Sequence, residues 1–222
     1  MGLNNEHAAR LIFDIETAPL PEAAEYLEPV EAPANYKDPA KIEAYCAEKQ
    51  AEHMSRCGLD VDLCRVVAPG MWLEGAEASS VITAEGVSEA NILRAFWAQM
   101  SLGNHLVGFN CLGFDLPVLL RRSLYLDVPT PSIQIDRFKH PQVTDLMDEL
   151  SFNGKLKLRG LSFYSKRFGF DVPDTMQGAD IAQAVTDGRW ADIEAHVTAD
   201  VQKTALLAAR LGHFNRVLAG AF

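Results

Sequence analysis

The chain has 222 residues and a formal net charge of −10, with 48% hydrophobic and 23% charged residues. That length and apolar content suit a single domain over residues 1–222 with a buried core, and they exclude a disordered chain. No apolar run reaches the roughly 18 residues needed to span a bilayer. The first ten residues lack the basic-then-apolar layout of a secretory signal, and the Met-Gly start is followed by Glu6 where a lipidation pattern wants Ser or Thr. Cys46, Cys57, Cys64 and Cys111 are irregularly spaced, with no C-x-x-C and no paired histidines. This points away from a disulfide framework or zinc site and toward reduced thiols in the cytoplasm. The negative charge repels polyanions at long range, so a nucleic-acid partner has to be held locally, by a few basic groups and metal ions.

The run Leu11–Leu20 (LIFDIETAPL) predicts a buried strand closed by Pro19 and Pro21. From Thr17 to about Asp38 lies a loop rich in Pro, Glu and Ala. A helix then starts at Pro39 with Asp38 as N-cap and stops before Gly58. Ile42, Tyr45, Cys46 and Lys49 share one of its faces, so residues 18–60 form a loop-and-helix insertion packed on the domain. Residues 65–73 (RVVAPGMWL) read as a strand interrupted by Pro69-Gly70, and 79–86 as a second strand, giving an antiparallel pair. A helix over 88–100 opens on Ser88, a strand covers 105–110, and another helix runs from Asp115 through Leu124. Residues 143–152 and 156–170 read as short helices, Asp180–Thr186 as another, and Trp190 to about Leu211 as the last long one. Strands first and helices interleaved with short strands afterwards indicate an α/β fold, a mixed sheet with helices on both faces.

Three stretches carry acids. Along a strand, side chains alternate faces, so Asp14 and Glu16 project together, opposite Phe13 and Ile15. Two carboxylates at the end of a core strand repel each other and are costly to desolvate, and a cation between them removes both problems; a solvated strand end is the plain alternative. In VGFNCLGFDLP, Pro117 is tolerated only in a first helical turn, which puts Asp115 at the N-cap, facing the positive end of the helix dipole. Capping alone explains that position as well as a carboxylate aimed at the open end of the sheet does. In WADIEAHVTADVQKTALLAARLG, Ile193, Val197, Val201, Thr204, Ala208 and Leu211 form one stripe. Asp200 falls within about 20° of its centre, and His196 lies about 40° away, one turn earlier. An aspartate on the packing face of a long helix needs a pair, a set of donors or a metal.

FDIET, then NCLGFDLP, then HVTAD resembles the three motifs of the DEDD-superfamily 3′–5′ exonucleases, which are ribonuclease H-like. The second motif is similar to the form found in proofreading domains of family-B DNA polymerases and their stand-alone relatives. The stretches NYKDPAKIEAY and VTDLMDEL also resemble the stand-alone group, and the likeness covers roughly residues 10–212. It implies a catalytic set of Asp14, Glu16, Asp115 and Asp200. It implies two divalent cations, Mg²⁺ or Mn²⁺, roughly 3.5–4 Å apart, acting in phosphodiester hydrolysis. Hard divalent ions prefer carboxylate oxygens. The superfamily divides by whether a tyrosine lies four residues before the last aspartate or a histidine five before it. Here His196 occupies the tyrosine's spacing. A residue four back lies over the aspartate, whereas one five back is about 140° away. His196 therefore reads as a water-orienting group or general base, since imidazole titrates near neutral pH, with a helix-surface residue as the plain alternative.

Asn110 and Phe114 belong to the second motif and are candidates for contact with the terminal nucleotide; otherwise Asn110 closes a turn and Phe114 is core. Lys155, Lys157 and Arg159, continuing to Lys166 and Arg167 and interleaved with Phe163, Tyr164 and Phe168, form a segment able to hold phosphates and stack bases. A solvated basic face accounts for it equally. Arg121 and Arg122 read as surface charges at a helix end. Asp145 and Asp148 are candidates for the neighbourhood of the site, with helix capping as the other reading of Asp145. The expected substrate is the 3′ end of single-stranded nucleic acid, DNA ahead of RNA. Proofreading would require a separate polymerase as partner. An endonuclease of the same fold and a catalytically impaired nucleic-acid-binding module are the rival readings.

Overall fold

Residues 9–100, 105–135 and 140–212 are described by the computed structural model. Five strands, β1 (Arg10–Pro19), β2 (Cys64–Leu73), β3 (Ser80–Val81), β4 (His105–Gly108) and β5 (Val143–Asp145), pair in the order β3-β2-β1-β4-β5. β1 runs antiparallel to β2 and parallel to β4, and β5 is parallel to β4, so the sheet is mixed. The helices are α1 (Pro39–Arg56), α2 (Glu89–Met100), α3 (Asp115–Tyr125), α4 (Leu146–Leu150), α5 (Leu161–Phe168), α6 (Ile181–Thr186) and α7 (Trp190–Arg210).

The alternation along β1 sorts the molecule into layers. Leu11, Phe13 and Ile15 enter a core with Ile92 and Phe96 of α2 and Leu116 and Leu119 of α3. Ile12 enters the opposite core with Val201, Ala205 and Ala208 of α7. A central strand covered on both faces reads as a nearly continuous apolar run, which is what makes two acids inside it conspicuous. The predicted stripe of α7 is the face that is buried, through Ile193, Val197, Val201, Thr204 and Ala208.

Asp38 caps α1, its Oδ1 accepting the Ala40 N–H at 3.0 Å, and Pro39 takes the first helical position. No residue of α1 is fully buried; the expected face of Ile42, Tyr45, Cys46 and Lys49 is half-buried, and Met54 near its end leans on the small cluster of Leu20, Ala23 and Cys57.

Several expectations are corrected. β2 passes through Pro69-Gly70 without a break, and Gly70 stands directly opposite Asp14. A Cβ there would sit 2.8 Å from Val197 Cγ2 and 2.9 Å from Val201 Cγ2, so the glycine is what lets α7 lie close against the sheet. The strand expected over 79–86 is only two residues long. Val143–Asp145 is a strand, not the start of a helix, because pairing with β4 overrides local preference. Residues 156–160 are not helical; α5 begins at Leu161. Arg122 is not a surface charge. It is 6% exposed, and its Nε and Nη2 donate to both carboxylate oxygens of Glu89 at 2.9 and 2.7 Å.

Candidate active site

Asp14 and Glu16 share the α7 face of β1, the face of Ile12 and Gly70. A register shift follows Glu16: Glu16 pairs with Ala68 but Thr17 with Val66, leaving Val67 as an extra residue. This bulge bends the partner strand just past the acid pair, where such irregularities commonly flank sites. β4 accompanies β1 only as far as Ile12. Beyond that point Asp115 Oδ1 accepts the Ile15 N–H at 3.2 Å, so a side chain from the start of α3 meets the strand between the two acids.

Asp115 is held there by the loop from β4. Asn110 adopts a left-handed conformation (φ 60°), and its carbonyl accepts the N–H groups of Gly113 and Phe114 at 3.1 and 3.0 Å. Asp145 fixes this turn from outside: Oδ1 accepts the N–H of Asn110 and of Met147, and Oδ2 that of Leu112, all at 2.9 Å. Asp145 is therefore the cap of α4 and the strut of the motif-two loop at once. Asn110 does close a turn and Phe114 leans on the α2/α3 core.

α7 supplies the opposite wall. His196 is 6% exposed, which overturns the helix-surface alternative. Its Nε2 lies 3.5 Å from Glu16 Oε1 and its Nδ1 2.8 Å from Asp174 Oδ1. Lys203 Nζ donates to Asp200 Oδ1 at 2.7 Å and also to Asp174 Oδ2. One ligand atom each of Glu16, His196 and Asp200 lie within 4.8 Å of one another, a spacing a single cation could span.

The electrostatics are those of a site short of positive charge. Burial pushes the Asp14 carboxyl well above its ordinary range, reinforced by Asp115, Glu16 and Asp200, with Lys203 opposing. Burial also raises Glu16, with Asp200, Asp115 and Asp174 adding to it. Asp115 is pushed up to about 7 by burial, against the backbone N–H groups that favour its charged form. Burial works against the charged form of Asp174 too, but hydrogen bonds from Lys203 and His196 outweigh it and hold that carboxyl below the usual value. Desolvated carboxylates that raise one another's pKa are what a cation relieves, and such groups in a cleft mark functional sites.

A cavity of about 800 Å³ opens over these groups, lined by Asp14, Glu16, Asp174, His196, Asp200 and Lys203 on one side and by Ser162, Ser165 and Lys166 of α5 on another. Of the sequence-predicted residues, Asp14, Glu16, His196 and Asp200 meet at the cavity; Asp115 is not among its lining residues but joins the cluster through the Ile15 N–H, and Asn110 and Phe114 do not line it either. Lys155, Lys157 and Arg159 are not among the lining residues; they sit exposed on the segment leading into α5. Two residues escaped the sequence reading. Asp174 follows Pro173 in an irregular stretch and signals only a turn; its Oδ1 does accept the Met176 N–H at 3.2 Å. Lys203 carried a usable signal, since a lysine three residues after Asp200 borders the same apolar stripe.

None of the curated proteins matches the chain. Among solved structures, the family B DNA polymerase from the hyperthermophilic archaeon Pyrobaculum calidifontis is similar over 92% of this chain and 24% of its own, with a TM-score of 0.61 and 20% identity. The chain thus spans about a quarter of that polymerase, and the likeness shows the fold, a ribonuclease H-like arrangement of mixed sheet and helices. A family model described as a predicted 3′–5′ exonuclease related to the exonuclease domain of PolB matches residues 59–221, a span that holds Asp115, His196, Asp200 and Lys203. With most of its length matched and its acids gathered at the end of β1, the chain belongs to that family of predicted 3′–5′ exonucleases related to the PolB exonuclease domain.

Proposed function

We propose that this chain is a metal-dependent 3′–5′ exonuclease acting on single-stranded ends, DNA ahead of RNA, with two Mg²⁺ or Mn²⁺ ions held by Asp14, Glu16, Asp115 and Asp200. The observation that carries the reading is the gathering of Asp14, Glu16, His196 and Asp200 around one cavity, with Asp115 hydrogen-bonded to the strand between the first two; burial raises the Asp14, Glu16 and Asp115 carboxyls alike. The donor set fits: carboxylate oxygens with one imidazole suit hard divalent ions, and nothing in it favours a soft metal. Bound ions of this class lower the pKa of a coordinated water and neutralise charge on the leaving 3′ oxygen. The chain's own residues do the remaining work. Asp14 and Glu16 face the cavity from β1, His196 and Asp200 from α7, and Asp115 meets β1 at the Ile15 N–H; His196 presents Nε2 beside Glu16, where it can orient the attacking water or take its proton.

Substrate binding falls to the α5 side. Lys166 lines the cavity. The segment before α5 exposes Phe152, Leu156 and Leu158 beside Lys155, Lys157 and Arg159, and Arg159 stacks over the Phe163 ring at 4.8 Å. Mixed basic and apolar groups suit a single strand, whose phosphates and bases are both accessible. Asn110 and Phe114 serve the site by holding the loop that places Asp115, not by lining the cavity. Similarity to a DNA polymerase favours DNA over RNA.

The test is hydrolysis of 3′-labelled single and double strands with Mg²⁺ or Mn²⁺, with a circular single strand beside them. Release of mononucleotides from linear single strands, an intact circle, and a loss of at least about 10³-fold in Asp14→Ala are expected. A cut circle would make the chain an endonuclease. Equal turnover by Asp14→Ala would remove the catalytic assignment. His196→Tyr run alongside separates a working base from a lesion: rescue of an inactive parent by the tyrosine would identify the latter.

A further inference from the structure

We propose that Asp174 is a positioning residue, holding His196 through Nδ1 so that Nε2 is presented to the Glu16–Asp200 side of the cavity. The inference rests on the exonuclease reading and assigns a part in it to a segment outside the three motifs. The geometry is specific. Asp174 Oδ1 lies 2.8 Å from His196 Nδ1, and Nε2 is left 3.5 Å from Glu16 Oε1. A neutral imidazole has one protonated nitrogen, and an ionised carboxylate can only accept. The contact with Asp174 therefore selects the tautomer with hydrogen on Nδ1 and a free lone pair on Nε2. Without it the ring could turn over or protonate the wrong nitrogen. A carboxylate behind a functional histidine acts in this way at metal sites, where its loss costs about 10–100-fold.

Asp174 is itself well anchored. Its Oδ1 also accepts the Met176 N–H at 3.2 Å, and its Oδ2 accepts from Lys203, which bridges to Asp200 Oδ1 at 2.7 Å. Met176 inserts between Ala18, Val67 and Val197, tying the irregular stretch to β1, β2 and α7. Three donors already occupy the two oxygens of Asp174, which leaves it poorly placed as an ion ligand and well placed as a brace. Lys203 closes the bracket from two turns beyond His196 and keeps Asp174 and Asp200 from repelling each other.

The experiment compares the parent with Asp174→Ala and the isosteric Asp174→Asn, after thermal melts establish that each is folded. The His196 ring is followed by ¹⁵N NMR, assigned with His196→Gln; Mn²⁺ binding is titrated without substrate; kcat and KM are measured on a 3′-labelled single strand. The expected result is a parent ring protonated at Nδ1, mixed tautomers in both variants, kcat lower by about 10–100-fold, and KM and the Mn²⁺ Kd within about threefold of the parent. A His196 spectrum unmoved by either substitution overturns the proposal. So does a Mn²⁺ affinity lowered more than tenfold, which would make Asp174 a ligand. A parent that hydrolyses no end fails the exonuclease reading alone, because the NMR measurement still decides the hold of Asp174 on the imidazole.

Discussion

The acid floor and the segment leading into α5 are opposites in construction. On the floor, Glu16, Asp115, Asp145, His196 and Lys203 are all at most 7% exposed, and each is met by a group from another part of the chain. In the segment from Phe152 to Arg159, every residue is exposed, and Phe152 and Asn153 adopt left-handed backbone conformations, which side chains other than glycine's seldom favour. The floor is fixed by long-range contacts and is intolerant of change; the segment is fixed by little and offers surface. An exonuclease of the kind proposed needs both. Reacting groups must be held to a fraction of an ångström, whereas a passing strand must bind and let go.

If the contrast is real, the largest effect comes from cutting a strut of the floor that touches no substrate. Asp145→Ala strips the acceptors from the N–H groups of Asn110, Leu112 and Met147 and frees the loop that places Asp115. A loss of about 3 kcal/mol is expected, read as a fall in Tm of roughly 6–12 °C, with activity lost alongside. A melt within 2 °C of the parent would mean that the floor is not the rigid half. Next is Gly70→Ala, where the added methyl meets Val197 and Val201. Overpacking of this kind costs about 2 kcal/mol, and α7 should lift with Asp200 on it, so kcat falls more than stability alone explains.

The third test uses pH. A carboxyl group whose pKa is higher folded than unfolded stabilises the folded chain while it is protonated. That contribution is complete below the unfolded value near 4 and is lost as pH rises through the folded value. Asp115 at about 7, with Asp14 and Glu16 raised in the same direction, makes the metal-free protein less stable as pH climbs from about 4 to 8. Mn²⁺ needs the ionised forms, so its stabilising effect should grow over the same interval and release protons on binding. Thermal melts with chelator or Mn²⁺ across that range check this, and Asp115→Asn should flatten the chelator curve. The smallest effect belongs to the exposed segment. Replacing Lys155, Lys157 and Arg159 together by alanine should raise KM for a single strand about tenfold. It should also reduce the salt slope by about 2, at roughly 0.7 per phosphate contact, and move Tm by less than 1 °C. A fall in kcat at unchanged KM would place the segment with the chemistry and dissolve the contrast.

Much of this was legible in the residues. Asp14 and Glu16 on one face of a buried strand, and Asp200 on the packing face of α7, follow from periodicity, because local geometry alone says which side chains share a side. Asp115 beside a helix start followed from Pro117. The spacing of His196 from Asp200 was enough to set it over the aspartate. The misreadings share a different cause. Val143–Asp145 became a strand because β4 was there to pair with it, and Pro69-Gly70 stayed in β2 because α7 needed the space above the glycine. Arg122 went inside because Glu89, distant in sequence, was there to meet two of its nitrogens with both carboxylate oxygens.

The sequence by itself therefore determined the faces on which the acids lie, through periods of two and 3.6 residues that any chain must obey, and its motifs carried the likeness to the family. Only the tertiary structure decided what surrounds them: Asp174 behind His196, Lys203 between two aspartates, and Asp145 under the loop that carries Asp115. Each of these joins residues from separate elements, and their energies come from desolvation and hydrogen bonds that exist only once those elements meet.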